Sequence, residues 1–128
     1  MKKKLAILDD EPSISMIIEL NLGKEYEINS LLNIDEFNQH ILNHSVDALV
    51  LDLNLSGESG RPIIAQIRNK KLATVKSNIP IVVLSGEDST DEKISCLKDG
   101  ADDYLVKPFN PMELMARINR IFERINEG

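Results

Sequence analysis

Four short unbroken apolar runs alternate with helical segments along this chain of 128 residues. Such runs are typical of strands that are buried on both faces of a parallel sheet. Together with a weaker run at residues 26–32, they predict five βα units and therefore a doubly wound α/β domain. Right-handed crossovers and a sheet covered on both faces favour the strand order 2-1-3-4-5. The predicted strands cover residues 4–8, 26–32, 48–51, 79–84 and 103–106.

Apolar periodicity and turn residues predict the helices between these strands. Ser89 and Glu92 form a predicted capping box for the fourth helix, which Gly100 ends. Residues 53–60 are predicted as a loop, and residues 69–78 as an extended helix end plus a loop. The predicted helices cover residues 12–22, 34–42, 61–68 and 90–99 and a last stretch that begins at residue 111. The predicted inner faces are Ile14, Ile17, Ile18 and Leu22 of the first helix, and Ile34, Phe37, Ile41 and Leu42 of the second.

Composition excludes several classes of protein. The formal net charge of -6 argues against direct nucleic-acid binding, and no apolar stretch is long enough for a secretion signal or a membrane span. Cys96 is the single cysteine, so it cannot form an internal disulfide, and we expect it to serve packing in a reducing cytoplasm. His40 and His44 are expected to be solvated on the polar side of the second helix.

Each of the four apolar runs leads into a residue that suits phosphoryl chemistry. The first run precedes Asp9 and Asp10, and the others precede Asp52, Ser85 and Lys107. Because parallel strands end at one edge of the sheet, where open α/β sheets place their sites, we expect these side chains to share one cleft. An acidic pair, a lone aspartate or a serine after a strand is by itself usually a cap or a turn. The combination at four strand ends favours a shared site.

Three carboxylates in one cleft repel each other, and a divalent cation relieves that repulsion. The expected ligands are all oxygens, which suit Mg²⁺. A carboxylate beside the metal can attack a phosphoryl group, and Asp52 is the best candidate because it stands alone on the central strand. Asp9 and Asp10 then serve the metal, while Lys107 and Ser85 stabilise the charge on the transferred group.

Two other classes of function remain open on this reasoning. In an aspartate-nucleophile phosphatase, Asp52 and Asn54 would occupy the two positions of an Asp-x-Asp pair. The second position needs a general acid, and Asn54 cannot donate an acidic proton. A flavodoxin-like cofactor binder would need a phosphate-cradling loop after the first strand, where Asp9 and Asp10 would repel a phosphate. Neither a GxxxxGK nor a GxGxxG spacing is present in the chain.

The motifs as a set resemble the receiver domain of two-component response regulators. This resemblance covers nearly the whole chain and rests on ILDDEP at residues 7–12, LVLDLNL at 49–55, VLSG at 83–86 and GADDYLVKPF at 100–109. It implies a flavodoxin-like fold and transfer of a phosphoryl group to Asp52 from the phosphohistidine of a sensor histidine kinase. It also implies that Mg²⁺ is held by Asp10, Asp52 and the backbone carbonyl of Asn54, with Asp9 acting through water. Such a domain is a phosphoacceptor and not a conventional enzyme.

The same resemblance assigns roles around the acceptor. Ser85 and Tyr104 match the family's switch pair, in which the hydroxyl moves toward the phosphate and the ring turns inward. Asn54 and Glu87 match positions that tune hydrolysis, and Lys107 matches a residue followed by a cis peptide bond to proline. Ser56 stands where the family often has proline, which predicts a looser loop. Gly86 stands where alanine is common, which predicts wider access to the phosphate.

The end of the chain resembles the receivers of winged-helix transcription regulators. Residues 1–128 are expected to be one receiver domain without an effector domain, either stand-alone and acting by protein contacts or cut from a longer regulator. The resemblance implies a homodimer on phosphorylation through the fourth helix, fifth strand and fifth helix. Lys98 and Asn119 do not look complementary, which predicts a weak dimer. The face would consist of the pairs Lys93–Glu113 and Asp103–Arg117 around Ile94, Leu97 and Met115.

Overall fold

A computed structural model describes residues 1–127 of the chain. In chain order its elements are β1 (Lys3–Leu8), α1 (Pro12–Leu22), β2 (Tyr26–Leu31), α2 (Ile34–Asn43), β3 (Ala48–Asp52), β4 (Asn54–Leu55), β5 (Glu58–Ser59), α3 (Arg61–Arg68), β6 (Ile81–Ser85), α4 (Thr90–Asp99), β7 (Asp103–Val106) and α5 (Pro111–Glu127). The main sheet has five parallel strands in the order β2-β1-β3-β6-β7. With the short β4–β5 hairpin set aside, this is the predicted order 2-1-3-4-5, so the expected fold is confirmed.

Helices cover both faces of the sheet, and the strand residues alternate between two apolar clusters. One cluster packs Leu8, Leu51 and Val83 against α2, α3 and α4, and the other packs Ile7 and Val50 against α1 and α5. This double burial explains why the strands are unbroken apolar runs, because both sides of each strand pack against helices. Cys96 is fully buried in the first cluster, as its predicted packing role requires.

Two predicted helix faces are partly wrong. On α1, Ile17 is 40% exposed, while Ser15 is buried and accepts a hydrogen bond from the Ser30 hydroxyl. The buried residues Ser15, Ile18 and Leu22 lie three and four positions apart and thus on one side of the helix. On α2, Leu42 is 65% exposed, because it lies about 100° around the helix axis from the buried Ile41.

Both long connections also differ from the prediction. The loop over residues 53–60 contains the antiparallel hairpin of β4 and β5, turned by Ser56 and Gly57 with φ of 33° and 88°. Helix α3 does not extend beyond Arg68, since Lys70 has a left-handed φ of 60° that interrupts helical geometry. The chain then folds back onto the core through buried Val75, so this connection is long because it covers apolar surface.

His40 departs from its predicted solvation. Its ring is half-buried and stacks on His44 at 4.7 Å between centroids, and its buried Nε2 has no hydrogen-bond partner. Burial first, and then the charges of His44 and Lys4, lower the pKa of His40 below its ordinary value. His44 is exposed, as predicted. Within residues 1–127, none of the helices has both the length and the apolar character needed to cross a bilayer.

Candidate functional site

The carboxyl edge of the main sheet carries the predicted site residues. Asp9 follows β1, Asp52 ends β3, Ser85 ends β6 and Lys107 follows β7, so the parallel strands deliver all four side chains to one edge. Asp9, Asp52 and Ser85 are 0%, 3% and 0% exposed, and they make up three of the four buried polar residues found in the described chain. Burying carboxylates and hydroxyls costs free energy of folding. Their concentration at this edge therefore indicates a functional site.

Asp9, Asp10 and Asp52 form the acidic cluster that the sequence predicts. One carboxylate oxygen from each lies within 4.8 Å of those of the other two. The backbone N–H groups of Glu11 and Asn54 donate to Asp9 Oδ1 and Asp52 Oδ1 at 2.9 and 3.1 Å. Asp9 Oδ2 is buried without a hydrogen bond of good geometry. Three carboxylate oxygens this close together, one of them without a well-oriented donor, fit a hard divalent cation such as Mg²⁺.

Lys107 supplies the positive charge of the cleft. Its Nζ lies 3.0 Å from Asp9 Oδ2, 3.4 Å from Asp52 Oδ2 and 3.5 Å from Glu11 Oε1. The contact between Lys107 Nζ and Asp9 Oδ2 is an ion pair that lacks the angles of a hydrogen bond, so this oxygen has a cation beside it but no well-oriented donor. The Lys107–Pro108 peptide bond is cis, as expected, and the Lys107 N–H donates to the Ser85 carbonyl at 2.7 Å.

The cleft shifts the acidity of its own groups. Burial raises the pKa of Asp52 above its ordinary value, and the negative charge of Asp9 raises it further. The hydrogen bond from the Asn54 N–H and the positive charge of Lys107 lower this pKa, but they do not cancel the effect of burial. Burial lowers the pKa of Lys107, but Asp9, Asp52 and Glu11 outweigh that effect and raise it above its ordinary value. Lys107 is therefore a fixed cation, and Asp52 is a carboxylate whose charge is poorly compensated by the protein alone.

The β4–β5 hairpin forms one wall of the cleft. A Cβ on Gly60 would lie 2.5 Å from the Asp52 carbonyl oxygen, so only glycine lets the base of the hairpin close against β3. The Ser56 hydroxyl donates a hydrogen bond to Asp10 Oδ2. The loop that was expected to be looser is thus tied to the acidic cluster, by a residue whose role sequence reasoning missed.

Ser85 and Tyr104 both contact Glu92, which sequence reasoning assigned only to the capping box. The Ser85 hydroxyl donates to Glu92 Oε1 at 3.0 Å, and the Tyr104 hydroxyl lies 2.7 Å from the same oxygen and 2.9 Å from the Glu87 carbonyl. Tyr104 is only 4% exposed, so its ring already points inward. The capping-box position of Glu92 was the signal in the sequence, but that pattern does not show where the carboxylate goes.

The residues of the expected dimer face lie together on α4, β7 and α5. Ile94 and Leu97 are exposed on α4, whereas Met115 is half-buried and packs against the core. Arg117 pairs within the chain, at 2.7 Å with Asp103 and 3.2 Å with Glu113. Lys93 is exposed, and so are Gly86 and the Glu87 side chain beside the cleft.

A family model for the response regulator receiver domain matches residues 5–119 of the chain. This chain belongs to that family. The receiver is 38% identical over 125 residues to the regulatory protein VanR of Enterococcus faecium, with 97% of this chain and 52% of that protein covered. It is 34% identical over 125 residues to the phosphate regulon transcriptional regulatory protein PhoB of Rhizobium meliloti, with 97% and 54% covered. The receiver thus spans about half the length of these relatives.

One solved response regulator that this chain resembles contains a phosphorylated aspartic acid. The receiver matches a response regulator protein from Burkholderia pseudomallei with a TM-score of 0.80 and 26% identity, covering 98% of this chain and 72% of that one. That structure holds a phosphorylated aspartic acid, a calcium ion and citrate. The expected resemblance, fold and two-component receiver function, with switching by phosphorylation, are confirmed for this chain at the level of its family.

Proposed function

We propose that Asp52 accepts a phosphoryl group from the phosphohistidine of a sensor histidine kinase. A carboxylate oxygen of Asp52 attacks the phosphorus, the nitrogen–phosphorus bond breaks, and its electron pair returns to the imidazole of the kinase. The observation that carries this proposal is the placement of Asp52, which is 3% exposed and lies 3.4 Å from Lys107 Nζ beside two further carboxylates. Receivers of this family use Mg²⁺ and histidine kinases, and we propose both for this chain.

The residues around Asp52 would promote the reaction by stabilising negative charge on the phosphoryl oxygens. We assign Asp10, Asp52 and the backbone carbonyl of Asn54 to the metal, with Asp9 acting through water. When bound, the cation would neutralise charge on the phosphoryl oxygens. The Lys107 ammonium and the Ser85 hydroxyl would hold those oxygens, since a cation and a donor placed beforehand stabilise charge as it develops.

The proposed function also includes loss of the phosphoryl group by hydrolysis and a response of the domain to phosphorylation. We propose that Asn54 and Glu87, both exposed beside the cleft, tune the loss of the phosphoryl group. Ser85 and Tyr104 form the switch that reports phosphorylation to the α4–β7–α5 face. We assign residues 1–128 to one receiver domain, acting in the cytoplasm and regulating transcription through an effector domain outside this sequence, as the similarity to a transcriptional regulator suggests.

Incubation with acetyl phosphate and Mg²⁺, followed by intact-mass measurement, tests the acceptor. We expect one phosphoryl adduct on the wild-type protein and none on Asp52→Asn, because the amide keeps the size of the side chain but cannot attack phosphorus. Asp91→Asn, an exposed change on α4, is the matched control and should form a normal adduct. A normal adduct yield in a folded Asp52→Asn variant would contradict the assignment.

A further inference from the structure

Glu92 forms hydrogen bonds with both switch residues, Ser85 and Tyr104, and it has no role in the reaction proposed above. Its backbone N–H donates to the Ser89 side chain at 3.3 Å, which is the expected half of the capping box. Within residues 1–127, its carboxylate accepts from the Ser85 and Tyr104 hydroxyls instead of completing that box. Both donors are buried, at 0% and 4% exposure, so the carboxylate of a surface helix is turned toward the sheet edge.

The hydrogen bond from Ser85 to Glu92 prevents Ser85 from donating to a phosphoryl oxygen on Asp52. A serine hydroxyl has one hydrogen to donate. In the structure this hydrogen is directed at Glu92 Oε1, while the Glu87 N–H donates to the Ser85 oxygen at 3.1 Å. Ser85 therefore cannot donate to a phosphoryl oxygen on Asp52 until it gives up Glu92. Bonds to a carboxylate are charge-assisted and stronger than bonds between neutral groups, so breaking the Ser85–Glu92 bond has a cost before the bond to the phosphoryl oxygen replaces it.

We propose that Glu92 is a latch that withholds the Ser85 hydroxyl and so slows phosphorylation of the receiver. Glu92 is a positioning residue, since it acts through Ser85 and does not touch the acceptor. The inference rests on the proposed function of Asp52. Release of the latch moves one hydrogen bond from the Glu92 carboxylate to a phosphoryl oxygen, and no covalent bond changes.

Tyr104 does not have to move in this scheme. Its ring is already buried, and its hydroxyl lies 2.9 Å from the Glu87 carbonyl as well as 2.7 Å from Glu92. After Ser85 leaves, the Tyr104 hydroxyl still donates to the half-buried Glu92 carboxylate, so this charge keeps a donor. The step that separates the two states in this chain is therefore the Ser85–Glu92 bond and not entry of the ring.

The rate of adduct formation from acetyl phosphate with Mg²⁺ tests the latch. We expect Glu92→Ala to react about tenfold to a hundredfold faster than wild type, the range that corresponds to release of one hydrogen bond to a charged group. Glu92→Gln keeps a neutral acceptor and should lie between the two. Asp91→Ala removes an acidic group from the same turn of α4 without contact to Ser85, and it should react at the wild-type rate. Thermal unfolding of each variant confirms that it is folded, and Glu92→Gln serves if Glu92→Ala does not fold.

The Ser85→Ala background separates a latch from a general loosening of α4. Because the latch acts only through the Ser85 hydroxyl, adding Glu92→Ala to Ser85→Ala should leave the rate unchanged, and the two effects should be non-additive. Acceleration that persists without Ser85, or unchanged or slower rates in both Glu92 variants, would overturn the latch while wild-type phosphorylation still stands. Absence of any adduct on the wild-type protein would overturn the proposed function, and the latch with it.

Discussion

Burial changes the acidity of both tyrosines. Burial raises the pKa of Tyr26 to about 12, with a smaller effect from Glu25. Burial also raises the pKa of Tyr104 to about 12, where Glu92 adds to the effect and Ser85 opposes it. Because the folded protein favours the neutral phenols, their contribution to stability is complete below pH 10 and is lost as the pH rises toward about 12.

Alkaline titration should therefore couple ionisation to unfolding. The chain contains two tyrosines and no tryptophan, so tyrosinate absorbance reports these two groups directly. We expect tyrosinate to appear above pH 10, together with loss of the circular dichroism of the fold, whereas the tyrosines of the urea-unfolded chain should titrate near their ordinary pKa of 10.0. Tyr26→Phe isolates the signal of Tyr104. Ionisation of both phenols near pH 10 with the fold intact would show that burial does not control them.

At the scale of elements, Arg68 joins the end of α3 to two neighbouring segments. Its guanidinium donates to the carbonyls of Ser77, Ile79 and Gly100 at 2.7 to 2.9 Å. It also pairs with Asp102 at 2.8 Å, and the same Asp102 oxygen accepts from the Ile81 N–H. One half-buried side chain thus fixes the return of the long connection into β6 and the turn between α4 and β7.

Removing the Arg68 side chain should lower the free energy of unfolding far more than removing Arg61 at the other end of the same helix. We expect Arg68→Ala to lower the free energy of unfolding by about 3 kcal/mol, because it removes the guanidinium donor from three carbonyls and the cation from Asp102. Arg61→Ala is the matched control, since its pair with Asp99 is more exposed and should contribute less than about 1 kcal/mol. Urea unfolding measures both, and equal losses would show that the network around Arg68 adds nothing beyond a surface pair.

The elements differ in how well the sequence predicts them. Strands and site residues were predictable because burial on both faces leaves a local pattern, and because parallel strands bring Asp9, Asp52 and Lys107 to one edge. The burial of Ser15 in place of Ile17 depends on how α1 rotates against the sheet, which residue spacing does not fix. The direction of the Glu92 carboxylate depends on hydroxyls on two neighbouring strands, β6 and β7, so the capping pattern alone could not reveal it.

At the scale of the whole molecule, the resting charges weaken the proposed dimer. Arg117 already pairs within the chain with Asp103 and Glu113, so a dimer exchanges these pairs for equivalent pairs across the axis. Exposed pairs are worth about 0–1 kcal/mol each, and their exchange contributes little. The gain must come from Ile94 and Leu97, which are 46% and 41% exposed and are used twice by a two-fold interface.

We therefore expect a mainly monomeric protein that forms a weak dimer with Mg²⁺ and beryllofluoride, which mimics the aspartyl phosphate. Light scattering over a range of protein concentrations measures this. Leu97→Asp should abolish the dimer by placing a charge at its apolar centre, and Arg117→Glu should weaken it by opposing Asp103. Lys24→Glu, an exposed charge reversal between α1 and β2, should leave it unchanged. A mass that stays monomeric on activation, or a dimer indifferent to both Leu97→Asp and Arg117→Glu, would exclude this face as the output surface.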